Sequence, residues 1–186
     1  MSIINEKQDI PAARRSCDEK LFLDLSETDF ANNGYSVSEL GSGICALEQS
    51  ICGWWKQRYL IDKNNCRAFE IMDENMRLMF VSKDDIDWES IAQLPESIRM
   101  RANALSARFP SFIHGFKNGV ALVSWQLNPE GRYYMDEDGY GMTSDDEVTI
   151  YGFIDTCMNV LVKFRYINDD WTLLNKMRDE AQSKLK

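Results

Sequence analysis

The hydrophobic positions of this chain change rhythm about halfway along. From Ile44, the apolar residues Ile44, Leu47, Ile51 and Trp54 or Trp55 recur at three- and four-residue steps, the spacing that lines one face of a helix. Gly53 weakens that pattern near its end. A second helical region is predicted over residues 82–107. There Asp84 or Asp85 can cap a helix carrying Ile86, Trp88, Ile91 and Ala92, because a carboxylate accepts the unpaired amide donors of a first turn. Pro95 suits a first helical position and Glu96 complements the helix dipole. A further helix is therefore expected through Ile98, Ala102 and Leu105, closed by Phe109-Pro110. Between the two regions, residues 58–61, 68–72 and 76–81 predict a hairpin, with Phe69 and Ile71 alternating with polar neighbours.

After Pro110 the period shortens to two. Residues 111–114, 119–127, 132–135, 148–155 and 159–167 are short runs rich in branched and aromatic side chains. Lys117-Asn118-Gly119 and Asn128-Pro129-Glu130-Gly131 punctuate them as turns. Asp169-Asp170 then caps an amphipathic helix over 171–185, with Leu173, Leu174, Met177 and Ala181 on one face and lysines at its end. Upstream, Asn32-Asn33-Gly34 and Gly41-Ser42-Gly43 bend the chain, and residues 21–25 are too short an apolar run to assign. The expected fold class is α+β, with a helical N-terminal half, a β-rich antiparallel C-terminal half and a C-terminal helix. Residues 1–18, interrupted by Pro11, read as a loosely packed lead-in to a single α+β domain over 19–186.

Composition narrows the function classes. The 186 residues are 44% hydrophobic and 27% charged, with a net charge of −9. So acidic a chain repels polyanions through its long-range field, which disfavours nucleic acid and anionic membranes and suits a basic protein partner. No apolar run approaches the ~20 residues of a membrane helix, and the first residues lack the apolar core of a secretory signal, so a cytoplasmic location is expected. Five cysteines, an odd number, fit no closed disulfide framework.

The densest candidate chemistry lies at 136–147, where Asp136, Glu137, Asp138, Asp145, Asp146 and Glu147 crowd around Gly139 and Gly141. Carboxylates this close repel unless water, a cation or a basic partner takes up their charge. With Asp136, Asp138, Gly141, Met142, Ser144 and Glu147 at positions 1, 3, 6, 7, 9 and 12, the spacing resembles an EF-hand loop. That resemblance implies Ca2+ held by Asp136, Asp138, Ser144 and Glu147. Tyr140 departs from it at position 5, where a nearer side-chain oxygen is wanted, and the flanks read as strands where the family has helices. A charged hairpin tip is the leading expectation, with Tyr133, Tyr134, Asp136, Asp138, Tyr140, Asp145 and Asp146 contacting a basic partner.

A second resemblance is confined to 151–166. Tyr151-Gly152-Phe153-Ile154-Asp155, Val160-Leu161-Val162 and Tyr166 are similar to one unit of the WG-repeat family, with tyrosine in place of tryptophan and Met158 where a turn glycine is expected. It implies a hairpin and no activity. Catalytic residues are not picked out. His114 is the single histidine, and no phosphate loop, paired redox cysteines or histidine-rich metal motif is present. The expected function is a small cytoplasmic, non-enzymatic binding protein of bacterial type. In size, acidity and lack of catalytic motifs it is similar to toxin-neutralising immunity proteins and other stoichiometric inhibitors. The alternative is a cation- or small-ligand-binding protein, including an enzyme, that uses the 136–147 carboxylates.

Overall fold

The stretch that begins at Ile44 is a strand, and this reassigns the N-terminal half. The computed structural model describes residues 19–51, 54–106, 111–127, 133–136, 139–142 and 148–185. Helix α1 (Glu19–Ser26) precedes β1 (Tyr35–Gly41), β2 (Ile44–Ile51), β3 (Trp54–Asp62) and β4 (Arg67–Glu70), an antiparallel meander in the order β1-β2-β3-β4. Ile44, Cys45, Ala46 and Leu47 are all buried, because β2 has a packed layer on each face. A strand covered on both sides loses its two-residue alternation, and a continuous apolar run then also satisfies helical spacing. The expected α+β division into a helical and a β-rich half is therefore wrong. Eight strands form two antiparallel sheets, with few helices between and around them.

Residues 82–106 hold short helical pieces: a 3₁₀ turn at Lys83–Asp85, α2 (Trp88–Ile91) and α3 (Glu96–Asn103). Asp87 caps α2 by accepting from the Ser90 amide at 3.3 Å, whereas Asp85 turns back onto Ser82. Beyond them come β5 (Phe112–Ile113), β6 (Val120–Gln126), β7 (Tyr133–Asp136), β8 (Gly139–Met142), β9 (Thr149–Asp155), β10 (Val160–Tyr166) and α4 (Trp171–Lys184). The second sheet runs β10-β9-β6-β5, and β7 pairs with β8 in a separate ribbon.

The inner faces of the two sheets share one core. Leu40, Ile44, Ala46, Leu60 and Phe69 meet Ala121, Val123, Trp125, Ile150, Ile154 and Phe164, with Ile86, Ile91, Ile98 and Ala102 packed into the same cluster. The Trp125 ring stands edge-on to Phe164 at 5.8 Å, and its Nε1 donates to the Ser106 carbonyl at 3.0 Å. Gly152 lies under the Phe164 ring: a Cβ there would stand 2.9 Å from Phe164 Cδ2, so the Tyr151-Gly152 pair has a packing reason. Gln57, 3% exposed, clasps the sheets: its Nε2 donates to the Ile113 carbonyl at 3.1 Å and its Oε1 accepts from the Ile113 amide at 2.7 Å.

Helices cover the outer faces. α1 lays Leu25 on Leu47, Ile61 and Ala68; α4 lays Leu174, Met177 and Ala181 on Val120, Phe153 and Val162. Several acids close turns. Asp62 accepts from the Asn64 and Asn65 amides, and Asp155 from those of Cys157 and Asn159. Asp29 and Asp73 do the same for Asn32 and Arg77. Asn168 and Asp169, at φ 46° and 60°, turn the chain out of β10, and Asp170 caps α4 by accepting from the Leu173 amide at 3.0 Å. Among the described residues, no helix is long and apolar enough to cross a membrane.

Candidate binding surfaces

The residues singled out at 133–142 form a two-stranded arm. Tyr133 pairs with Met142, Tyr134 with Gly141, Met135 with Tyr140 and Asp136 with Gly139. Directly opposed residues share a face and successive ones alternate. The two tyrosine–methionine pairs thus alternate along the ribbon with two pairs that contain a glycine. Positions 4 to 7 of the twelve-position frame, Gly139–Met142, are strand β8. Asp138, Ser144, Asp145, Asp146 and Glu147 lie outside the described residues, as does the 1–18 segment. Among the described residues, no group of three or more His, Cys, Asp or Glu side chains could hold a metal ion.

Sequence reasoning did not find a second surface, on the outer face of the β10-β9-β6-β5 sheet at the margin of the α4 cover. Strand pairing aligns Phe112, Ser124, Tyr151 and Arg165 in one row across all four strands. His114 Nε2 is 2.9 Å from Ser124 Oγ, and Arg165 Nη2 pairs with Asp87 Oδ2 at 3.1 Å. Desolvation holds the His114 imidazolium below its ordinary range, so the neutral ring can accept from the Ser124 hydroxyl. Desolvation, with Asp169 nearby, also raises Tyr151, which remains a phenol; Trp171 stands edge-on to it at 6.5 Å. A serine–histidine contact is one part of a nucleophilic site. Among the described residues, however, no carboxylate pairs with His114 to orient it, and Ser124 sits within a regular strand. The pair is a hydrogen bond between neighbouring strands, ten residues apart, which no local motif announces.

On the β1–β4 sheet, Glu39 and Lys63 form an ion pair at 2.9 Å beside the fully buried Cys45. Burial pushes the Cys45 thiol up, outweighing the Lys63 ammonium, so Cys45 stays protonated. Lys63 is held above its usual range by the Cys45 side chain and Glu39, and Glu39 is lowered chiefly by its hydrogen bond to Lys63. Cys45 thus acts as a small hydrophobe, and Cys52 lies outside the described residues. Lys56 is fully buried, with its Nζ 3.0 Å from Met76 Sδ, a placement that nothing in its local sequence signals. Compared with known proteins, the chain matches no family model, no curated protein and no solved structure.

Proposed function

We propose that this protein is a non-enzymatic binding module that docks a basic partner protein through the β7–β8 arm. One observation carries the reading: among the described residues, β7 and β8 pair with each other and with neither four-stranded sheet. An isolated two-stranded ribbon is marginal in water, so a ribbon set apart gains from a further surface. Its register sets Tyr133 against Met142 and Tyr140 against Met135, residue types enriched where proteins meet. The six carboxylates between 136 and 147, on a chain of net charge −9, favour a basic partner. Acidic groups would speed encounter, while desolvated aromatics would supply most of the affinity. Stoichiometric inhibition of an immunity type fits this division of labour.

The test uses the full chain as bait in an extract of its source cells, beside a Tyr133→Ala/Tyr140→Ala double variant. The wild type should retain a basic protein in equimolar yield, and the double variant should lose it. Lysine at 136, 138, 145 and 146 should slow association and flatten its salt dependence. Equal retention by the double variant, or an association rate unmoved by charge reversal, would sink the reading.

A further inference from the structure

At one end of the β1–β4 sheet the inward face stops being core. Residues 44, 46, 48 and 50 of β2 share one side of the strand, and Ile44 and Ala46 on that side belong to the central cluster. Farther along, pairing places Ser36, Glu48 and Gln57 in one row and Ser50 opposite Trp55 in the next. Gln57 still faces the other sheet, since it holds Ile113. Beyond Gln57 the cover ends: Trp55 stands on the inward face yet is 53% exposed. A large indole left in water forgoes the burial its neighbours gain.

Glu48 is the diagonal neighbour of Trp55, a spacing that long and aromatic side chains bridge. The carboxylate is half-buried, and each oxygen is held by a hydroxyl: Ser38 Oγ donates to Oε1 at 2.9 Å and Ser36 Oγ lies 3.4 Å from Oε2. Two hydroxyls orient the group without neutralising it. Among the described residues Glu48 makes no ion pair, whereas Arg58 pairs with Glu70 and Glu74, and Lys63 with Glu39. Arg58 also hydrogen-bonds Gln49, on the opposite face of β2, and so does not supply the missing charge.

An oriented carboxylate without a cation, beside an exposed indole, is the pair of features that recognises a planar guanidinium. The carboxylate accepts two parallel N–H bonds, and the ring attracts the cation through its face. We infer that Glu48 and Trp55 form a binding site for an arginine side chain presented by a protein partner. Charge complementarity favours that occupant, given a carboxylate without an ion pair among the described residues and the chain's net charge of −9. Arginine fits better than lysine because its fork matches two oxygens held apart, while an ammonium is a point charge. The inference deepens the docking reading by naming a side chain of the partner, and rests on it for the source of that arginine alone.

Its experiment needs no partner. The full chain is titrated with N-acetyl-arginine amide, and with N-acetyl-citrulline amide as the neutral isostere, while the Trp55 indole N–H resonance is followed by NMR. A saturable shift at millimolar arginine amide, absent with citrulline, is expected. Glu48→Gln keeps the side-chain shape and should weaken binding about tenfold or more, as for a charge-assisted contact. Remote resonances report whether that variant keeps the fold. The inference is overturned by an unmoved Trp55 resonance, an equal response to citrulline, or unchanged affinity in Glu48→Gln. Should it fail while the arm variant still loses the partner, docking through the arm stands without this site. The reverse result leaves the site and removes the arm.

Discussion

The two sheets carry helical covers of very different grip. α4, 14 residues long, buries Leu174, Met177 and Ala181 at the spacing of one face and meets Val120, Phe153, Val162 and Ile167. α1, eight residues long, contributes Leu25 to its cluster as a buried position, with Leu21 and Phe22 only partly covered. A short helix repays little of its own ordering cost, because nucleation is expensive and each added turn brings further buried side chains. The difference teaches that the same device, a helix laid on the outside of a sheet, is part of the global folding unit in one place and a local cover in the other.

Three changes would break or sharpen that contrast. The largest effect is expected from Phe153→Ala, which empties the centre of the α4 cluster and should cost about 3–5 kcal/mol in urea unfolding. A loss below about 1 kcal/mol would mean that α4 does not grip the sheet there. An intermediate effect is expected from Leu25→Ala. Amides of α1 should exchange with solvent about tenfold faster or more while the slowest amides of β6 keep their rate, as for a unit that opens alone. Equal acceleration of both would join α1 to the global unit.

The smallest effect concerns His114, on the part of the second sheet that α4 leaves open. Its folded pKa is depressed, so as pH falls the unfolded chain takes up the proton first. Stability should then decline from about pH 6.5 downward, levelling once the folded form is also protonated. His114→Gln should lose this portion of the decline, measured as a smaller drop in Tm between pH 7 and pH 5. An identical drop in the variant would show that desolvation of the ring contributes nothing.

Legibility in the sequence followed how far each signal had to reach. The C-terminal strands alternate visibly, because the outer face of their sheet is only half covered and keeps polar positions such as Ser124, Thr149 and Arg165. The Asp170 cap and the stripe at Leu174, Met177 and Ala181 lie within a few residues of what they act on. β2 was illegible as a strand for the opposite reason: with α1 on one side and the second sheet on the other, its alternation vanishes. Density of acids drew the eye to 136–147, while Asp29, Asp62, Asp73 and Asp155, read singly, close turns and leave less of the negative charge free for recognition. Trp55, second of two adjacent tryptophans, stands exposed at the rim of the inward face. Its neighbour Glu48 could not be singled out, since Ser36 and Ser38 lie 12 and 10 residues away across a hairpin.

By itself, the sequence determined the turns at Gly34, Gly41-Ser42-Gly43 and Asn118-Gly119, the Asp170 cap, the C-terminal helix and the strand character of the second half. Each of these is an energy between groups that are neighbours along the chain. The tertiary structure alone decided that the N-terminal half is a sheet, that Gln57 ties the two sheets through Ile113, and that Glu48, diagonal to Trp55, is oriented by two hydroxyls and makes no ion pair among the described residues. Those outcomes depend on which distant surfaces meet and where the cover between them ends.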